Sequence, residues 1–325
     1  MSRRLPDDNT DRRAAESPAT PDDPKLEPVA KRTCDLDIAR RLYAEEIRVK
    51  ADLRSDALIE AFAVVPREHY LGPGPWLIKK DGRGLLHKLD ERLRGEYRLT
   101  DDADPRRIYR DVHVAIDATR GLNNGRPGRL AHWLDLLDLR AGECVLHVGC
   151  GVGYYTAIMA EVTGHGGQIV GFEIDAELAE RARRNLAHLG HVEVLHADGG
   201  VQDVGKCDAV FVNAGSTRVC PVWLDGLRPG GRMILPLTTN DGRGALLKVT
   251  FDGRAYAARF VSSARVFHCA GSRDSESARR LRDALRRADP AAVRSLRRDA
   301  HLEDATCWFH LQGCCLSTLP AGHEV

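Results

Sequence analysis

Three glycines at alternate positions, Gly149, Gly151 and Gly153, stand between the apolar run Cys144 to Val148 and a helical stretch that opens at Tyr154. Glycine at a strand-to-helix turn lets the backbone pass close to a ligand and aims helix N–H groups at a negative group. A dinucleotide fingerprint needs its third glycine three places after the second. Tyr154 fills that place, so the G-x-G-x-G spacing argues against a nicotinamide cofactor. Glu173 follows Gly153 by 20 residues, at the end of the next apolar run, where its two oxygens can accept from both hydroxyls of a ribose. Asp198 and Gly199 close a third run, in place to meet the exocyclic amine of an adenine. Asn213 and Ala214 end a fourth. Each feature alone is also an ordinary turn. Together they converge on one sheet edge, where open α/β folds bind ligands.

The elements that must position these residues alternate along the chain. Cys144 to Val148, Gln168 to Phe172, Val192 to Leu195, Ala209 to Val212 and Met233 to Pro236 read as strands, with helices over Tyr154 to Val162 and Ala176 to Leu189. This spacing predicts a doubly wound, mostly parallel α/β sheet covered on both faces. Upstream, Leu130, Trp133, Leu134 and Leu137 form the stripe of a core-packed helix, and Leu36 to Val65 reads as two helices stopped by Pro66. Leu71 to Asp104 shows no clean period and reads as an irregular insertion. Ala245 to Phe251 and Ala255 to Phe267, joined at Asp252-Gly253, predict an antiparallel hairpin that closes the sheet. Beyond it lie an Arg-rich helical segment, Ser275 to Ala300, interrupted at Pro290, and one short strand over Cys307 to Leu316. Four regions result: a disordered tail over 1–33, helices and a substrate-side insertion over 34–140, a ligand-binding core over 141–267, and a C-terminal extension over 268–325.

With 325 residues the chain can bury a substantial core. Its charged fraction of 29% splits evenly to a net charge of +1, so no overall field attracts nucleic acid or a membrane. No apolar run is long enough to span a bilayer, and MSRRLPDDNTDRR lacks the apolar region of a secretory signal. Nine cysteines, an odd number with several in apolar runs, read as reduced thiols, and the protein reads as cytoplasmic. The arginines from Arg279 to Arg298 are interleaved with Asp, Leu and Ala and read as a solvated amphipathic helix rather than a nucleic-acid surface. His147, inside a strand, reads as a hydrogen-bonded core histidine. Cys307, His310 and the pair Cys314-Cys315 read as inert thiols and a neighbouring histidine, because adjacent cysteines do not easily ligate one ion; no metal site is expected.

With these residues in view, the chain resembles the protein-L-isoaspartate (D-aspartate) O-methyltransferase family. The resemblance covers roughly Leu53 to Phe267. It rests on Val65-Pro66-Arg67 with His69-Tyr70, on VLHVGCGVGYYTA (Val145 to Ala157), GFEIDAELAERARRNL (Gly171 to Leu186), HADG (His196 to Gly199) and LRPGGRMILPL (Leu227 to Leu237). It implies a class I methyltransferase fold, S-adenosyl-L-methionine (AdoMet) as methyl donor, and a carboxylate of a peptide or protein as acceptor. By position it implies that Gly149, Gly151 and Gly153 pass under the methionine moiety, that Glu173 holds the ribose, and that Asp198 and Gly199 border the adenine; Tyr154 and Asn213 are the further cofactor-binding candidates.

In the family, a Ser or Thr, then Gln, then Pro precedes the helix that leads into the first strand, and the hydroxyl faces the acceptor carboxylate. Here the stretch is Arg120-Gly121-Leu122-Asn123-Asn124-Gly125-Arg126-Pro127, with Gly125 at the hydroxyl position and Arg126 at the Gln position. A carboxylate is already ionised at neutral pH, so methyl transfer needs orienting groups more than a general base. Asn123, Asn124 and Arg126 are the candidates, since amides and a guanidinium can donate to a carboxylate. Asn124-Gly125 reads equally as a plain turn. Two other readings stay open: an RNA base or small metabolite as acceptor on the same fold, or a protein that binds AdoMet or a peptide without turnover.

Overall fold

The computed structural model describes residues 29–80, 95–203, 205–311 and 313–322. Residues 1–28 of the expected tail and 81–94 of the expected insertion lie outside the described residues. The first helix, α1 (Val29–Ala51), begins before the expected end of that tail. After it come α2 (Asp56–Val64), whose first turn is capped by the Ser55 hydroxyl accepting from the Leu58 N–H at 3.2 Å, and α3 (Arg67–Leu71). Two small antiparallel pairs then follow, β1 (Leu77–Lys79) with β2 (Tyr97–Leu99) and β3 (Ala115–Asp117) with β4 (Leu122–Asn123). Helix α4 (Pro127–Leu137) carries the expected apolar stripe, and Leu130, Trp133, Leu134 and Leu137 are all buried.

The core alternates as the apolar runs predict: β5 (Cys144–Val148), α5 (Tyr154–Thr163), β6 (Gln168–Glu173), α6 (Ala176–Leu186), β7 (Val192–His196), β8 (Cys207–Val212), the short α7 (Pro221–Asp225) and β9 (Leu227–Thr238). Strands β7, β6, β5, β8 and β9 lie side by side and parallel. The chain runs outward from β5 to β7, then returns to the other side of β5, which leaves a crevice at the carboxyl ends of β5 and β8. His147 on β5 is fully buried and shares a 2.9 Å hydrogen bond with the Thr156 hydroxyl; burial pushes its imidazole down to about 3, so it is a neutral core residue, as expected.

The hairpin β10 (Arg243–Phe251) and β11 (Tyr256–Arg265) follows where the sequence places it, but the sheet does not end there. Helix α8 (Ser275–Arg287), capped by Asp274 accepting from the Ser277 N–H at 2.7 Å, gives way after Pro290 to three more strands, β12 (Ser295–Arg297), β13 (Cys307–Leu311) and β14 (Cys314–Ser317). The expected single strand over Cys307 to Leu316 is thus two, parted at Gly313, which adopts φ 73°. The result is one ten-stranded sheet in the order β13-β14-β12-β11-β10-β9-β8-β5-β6-β7. Among the described residues no helix is long and apolar enough to cross a membrane.

Arg67 joins the N-terminal helices to the substrate side. Its guanidinium is fully buried beneath the rings of Tyr43 and Tyr154 and donates to the carbonyls of Ile108, Arg110 and Val112 at 2.6, 2.9 and 2.8 Å. The three carbonyls are met from two separate nitrogens of a rigid planar fork, a spread that the compact ammonium of lysine does not reproduce. Arg67→Met and Arg67→Lys should both lower unfolding free energy by at least about 2 kcal/mol, given about 1.5–3 kcal/mol for a hydrogen bond from a charged donor. Urea denaturation followed by tryptophan fluorescence checks this, and a lysine variant as stable as wild type would contradict it.

Candidate active site

The ends of β5, β6, β7 and β8 bring the expected residues together. At the end of β5 the backbone turns through Gly149 to Gly153, with the N–H groups of Gly149 and Cys150 both donating to Phe172 O, at 2.8 and 3.0 Å. Gly151 adopts φ 58° with nothing within 4 Å of where a Cβ would stand, so it presents bare backbone to open space. Its N–H donates to Glu173 Oε2 at 2.8 Å, and Glu173 Oε1 accepts from the Asp175 N–H at 3.1 Å. The Glu173 carboxylate is only 8% exposed, and those two N–H groups offset the cost of burying it. A carboxylate offers about four lone-pair sites, so acceptor capacity is left for two ribose hydroxyls. Gly149 packs on Ala214 and Asn213, and Asn213 N–H donates to Val148 O at 2.8 Å. Gly199 lies against Phe172 and Val148, with its carbonyl held by Trp223 Nε1 at 2.7 Å. Asp198 accepts from the Gly200 N–H at 2.8 Å and faces Gly271 of the extension, whose missing side chain leaves it room.

One expected residue points its side chain elsewhere. Tyr154 does not border the crevice with its side chain: it is 1% exposed, its hydroxyl meets that of Tyr43 at 3.3 Å, and its ring packs with Phe62, Tyr70 and Tyr155. A bulky aromatic one place into α5 is drawn into the apolar interface with α2. Gly153 serves packing as well, since a Cβ there would meet Leu186 Cδ1 of α6 at 2.8 Å.

The segment before α4 hangs over the same crevice. Arg120 forms an ion pair with Asp175, two residues after Glu173, and the Leu178 N–H and Arg120 together hold the Asp175 carboxyl below its usual range. Asn123, Asn124 and Arg126 then divide. Asn123 Oδ1 accepts from the Gly125 N–H at 3.0 Å and its Nδ2 donates to the Tyr97 hydroxyl at 3.3 Å, so this side chain shapes the turn. Arg126 donates from Nε to the buried Asp111 at 2.9 Å, and Asp111 also accepts from the Gly128 N–H at 2.8 Å, capping α4. Arg126 thus spends its Nε on a structural ion pair. Asn124 remains: it is 7% exposed, and its buried Nδ2 has no hydrogen-bond partner among the described residues.

Sequence reasoning missed Tyr155. Its hydroxyl is also buried with no hydrogen-bond partner among the described residues, and its Cε2 stands 3.9 Å from where a Gly125 Cβ would project. Burial pushes this phenol well above its usual range, so it stays a hydrogen-bond donor. No spacing rule marks it; only the adjacent glycine turn does. Glu173→Ala should release the Gly151 and Asp175 N–H groups and raise the Kd for AdoMet at least about ten-fold, since a hydrogen bond to a charged group contributes about 1.5–3 kcal/mol. Isothermal calorimetry measures it, and an unchanged Kd would contradict the assignment.

Comparison with known proteins agrees with this geometry. The protein-L-isoaspartate(D-aspartate) O-methyltransferase (PCMT) family matches residues 94–261, just over half of the chain. Protein-L-isoaspartate O-methyltransferase 1 of Archaeoglobus fulgidus is 33% identical over 207 residues, covering 62% of this chain and 81% of that protein. The protein-L-isoaspartate O-methyltransferase of Pyrobaculum neutrophilum is 30% identical over 230 residues, covering 69% and 95%. A solved protein-L-isoaspartate O-methyltransferase superimposes with a TM-score of 0.53 at 21% identity, covering 79% of this chain and 71% of that one, which speaks for the fold. The match to the family stops at residue 261, before β12 to β14. With the glycine turn, its carboxylate and the parallel sheet in place, the chain belongs to the protein-L-isoaspartate (D-aspartate) O-methyltransferase family, whose members are AdoMet-dependent protein carboxyl methyltransferases.

Proposed function

We propose that the protein methylates a carboxylate in a peptide or protein substrate, with Asn124 Nδ2 and Tyr155 Oη as the donors that orient it. The observation that carries this reading is a pair of buried donors without hydrogen-bond partners among the described residues, Asn124 Nδ2 next to Gly125 and the hydroxyl of Tyr155, whose ring Cε2 stands 3.9 Å from where a Gly125 Cβ would project. A buried polar group without a partner costs about 1–3 kcal/mol, so two such groups near one glycine are better explained by a ligand that satisfies them than by packing. Both are neutral donors and suit an anionic oxygen. Gly125, at φ 70°, packs against Leu130, whose Cδ2 stands 3.2 Å from where a Cβ would project.

AdoMet supplies an electrophilic methyl on sulfur; in the transfer one carboxylate oxygen bonds to the methyl carbon as the carbon–sulfur bond breaks, and sulfur keeps the electron pair. No proton moves, because a peptide carboxylate is ionised well below neutral pH. The protein's part is then to bind, orient and exclude water. Glu173 and the glycine turn hold the donor, Gly199 and Asp198 border it, and Asn124 with Tyr155 hold the acceptor. Such positioning can supply roughly 7–11 kcal/mol of the barrier.

The test is transfer of labelled methyl from AdoMet to matched aspartyl and isoaspartyl peptides under multiple turnover. The expected product is a base-labile methyl ester. Asn124→Leu and Tyr155→Phe should each lower kcat/KM for the peptide about ten-fold or more, one hydrogen bond to a charged group contributing about 1.5–3 kcal/mol, while the Kd for AdoMet stays within about two-fold. The rate should be flat from about pH 6 to 9 and fall only as the acceptor protonates near pH 4. A base-stable N-methyl product would overturn the acceptor class, and AdoMet binding with no transfer to either peptide would favour a binder without turnover.

A further inference from the structure

The last three strands bring together side chains that the methyl-transfer site does not use. His301, Cys307, His310 and Cys315 each offer one ligand atom, and the four atoms lie within 4.8 Å of one another. Strand geometry explains why the adjacent Cys314-Cys315 pair is not an obstacle. Successive side chains point to opposite faces, so Cys314 is buried in the core under the sheet, where its thiol is pushed up to about 12, while Cys315 turns to the other face beside His310, its cross-strand partner. An unbroken alternation would place Cys307 and His310 on opposite faces, but the register shifts between Cys307 and Phe309, and the bulge returns Cys307 to the side of His310.

The histidines are set up as ligands. His301 Nδ1 stands 3.0 Å from Asp299 O and 3.1 Å from the Asp299 carboxylate, which leaves Nε2 facing Cys307 Sγ at 3.5 Å. A carboxylate on the far nitrogen is the usual support of a metal-bound imidazole, and Arg297 in turn holds Asp299 at 2.7 Å. The two histidine rings are 4.8 Å apart, and His310 Nδ1 is buried with no hydrogen-bond partner among the described residues. Two sulfurs and two nitrogens match the preference of zinc. With bonds of about 2.3 Å to sulfur and 2.0 Å to nitrogen, a tetrahedral ion needs its ligands about 3.3–3.8 Å apart, so a contraction of about 1 Å from the widest separation closes the site.

We propose that His301, Cys307, His310 and Cys315 bind one zinc ion that staples the C-terminal strands. Binding releases one proton from each cysteine, and two thiolates with two neutral imidazoles leave the dication's site without net charge. Four protein ligands leave no open position, which makes the role structural. The site sits at the β13 edge of the sheet, beyond the residues that match the family and far along the strand order from β5.

The test uses the full chain without a polyhistidine tag, purified reduced, with bound metal measured by mass spectrometry and the visible spectrum recorded after exchange to Co2+. Equimolar zinc and the d–d and thiolate charge-transfer bands of tetrahedral cobalt are expected in the wild type and in Cys314→Ser. Cys307→Ser and His310→Ala should bind at least ten-fold more weakly, with AdoMet binding reporting that the core remains folded. If those two variants fail to fold, the wild-type cobalt spectrum decides alone, tetrahedral thiolate bands supporting the site. No metal above background after reconstitution with Zn2+, a cobalt spectrum without thiolate bands, or a loss in Cys314→Ser equal to that in Cys307→Ser would overturn it.

Discussion

The bond between the Gly151 N–H and the Glu173 carboxylate is the contact on which the functional end of the molecule depends. It crosses from the loop after β5 to the last residue of β6, so it fixes how two neighbouring parallel strands finish. A buried carboxylate is tolerated there because the backbone supplies two donors, Gly151 and Asp175, and the acceptor capacity left over is what a ribose requires. The strand order makes the place available, since the return of the chain across β5 opens a crevice at those same carboxyl ends.

The segment before α4 is tied to the same point by a chain of polar contacts. Arg67 holds the carbonyls of residues 108, 110 and 112, Asp111 within that stretch caps α4 and pairs with Arg126, and Arg120 reaches back to Asp175 beside Glu173. Arg67 and Asp111 are buried and matched to partners, while Arg120 is exposed, so loosening the buried links frees the loop that carries Asn124. Among the described residues Asn124 Nδ2 and the Tyr155 hydroxyl are buried without hydrogen-bond partners, and Tyr155 Cε2 stands 3.9 Å from where a Gly125 Cβ would project from that loop.

Much of this was legible in the sequence because parallel strands buried on both faces read as continuous apolar runs. Val145 to Val148 and Ala209 to Val212 are examples, and their ends locate the crevice. Glu173, Gly199 and Asn213 followed from position at those ends. What escaped was decided by tertiary partners. Arg126 looks free in the sequence, but Asp111, 15 residues earlier, claims it; Tyr154 and Tyr155 are adjacent and alike, and only packing sends the hydroxyl of one to Tyr43 and leaves the other without a partner. The C-terminal strands escaped for a similar reason. Gly313 and the bulge after Cys307 set which side chains share a face, and neither the split strand nor the grouping of two histidines with two cysteines follows from a one-dimensional period.

The most direct test of the account is a crystal structure of the protein with S-adenosyl-L-homocysteine and an isoaspartyl peptide. The account predicts ribose hydroxyls on Glu173 and the peptide carboxylate within hydrogen-bond distance of Asn124 Nδ2 and Tyr155 Oη. A carboxylate bound elsewhere, with those two donors still buried and unpartnered, would contradict it.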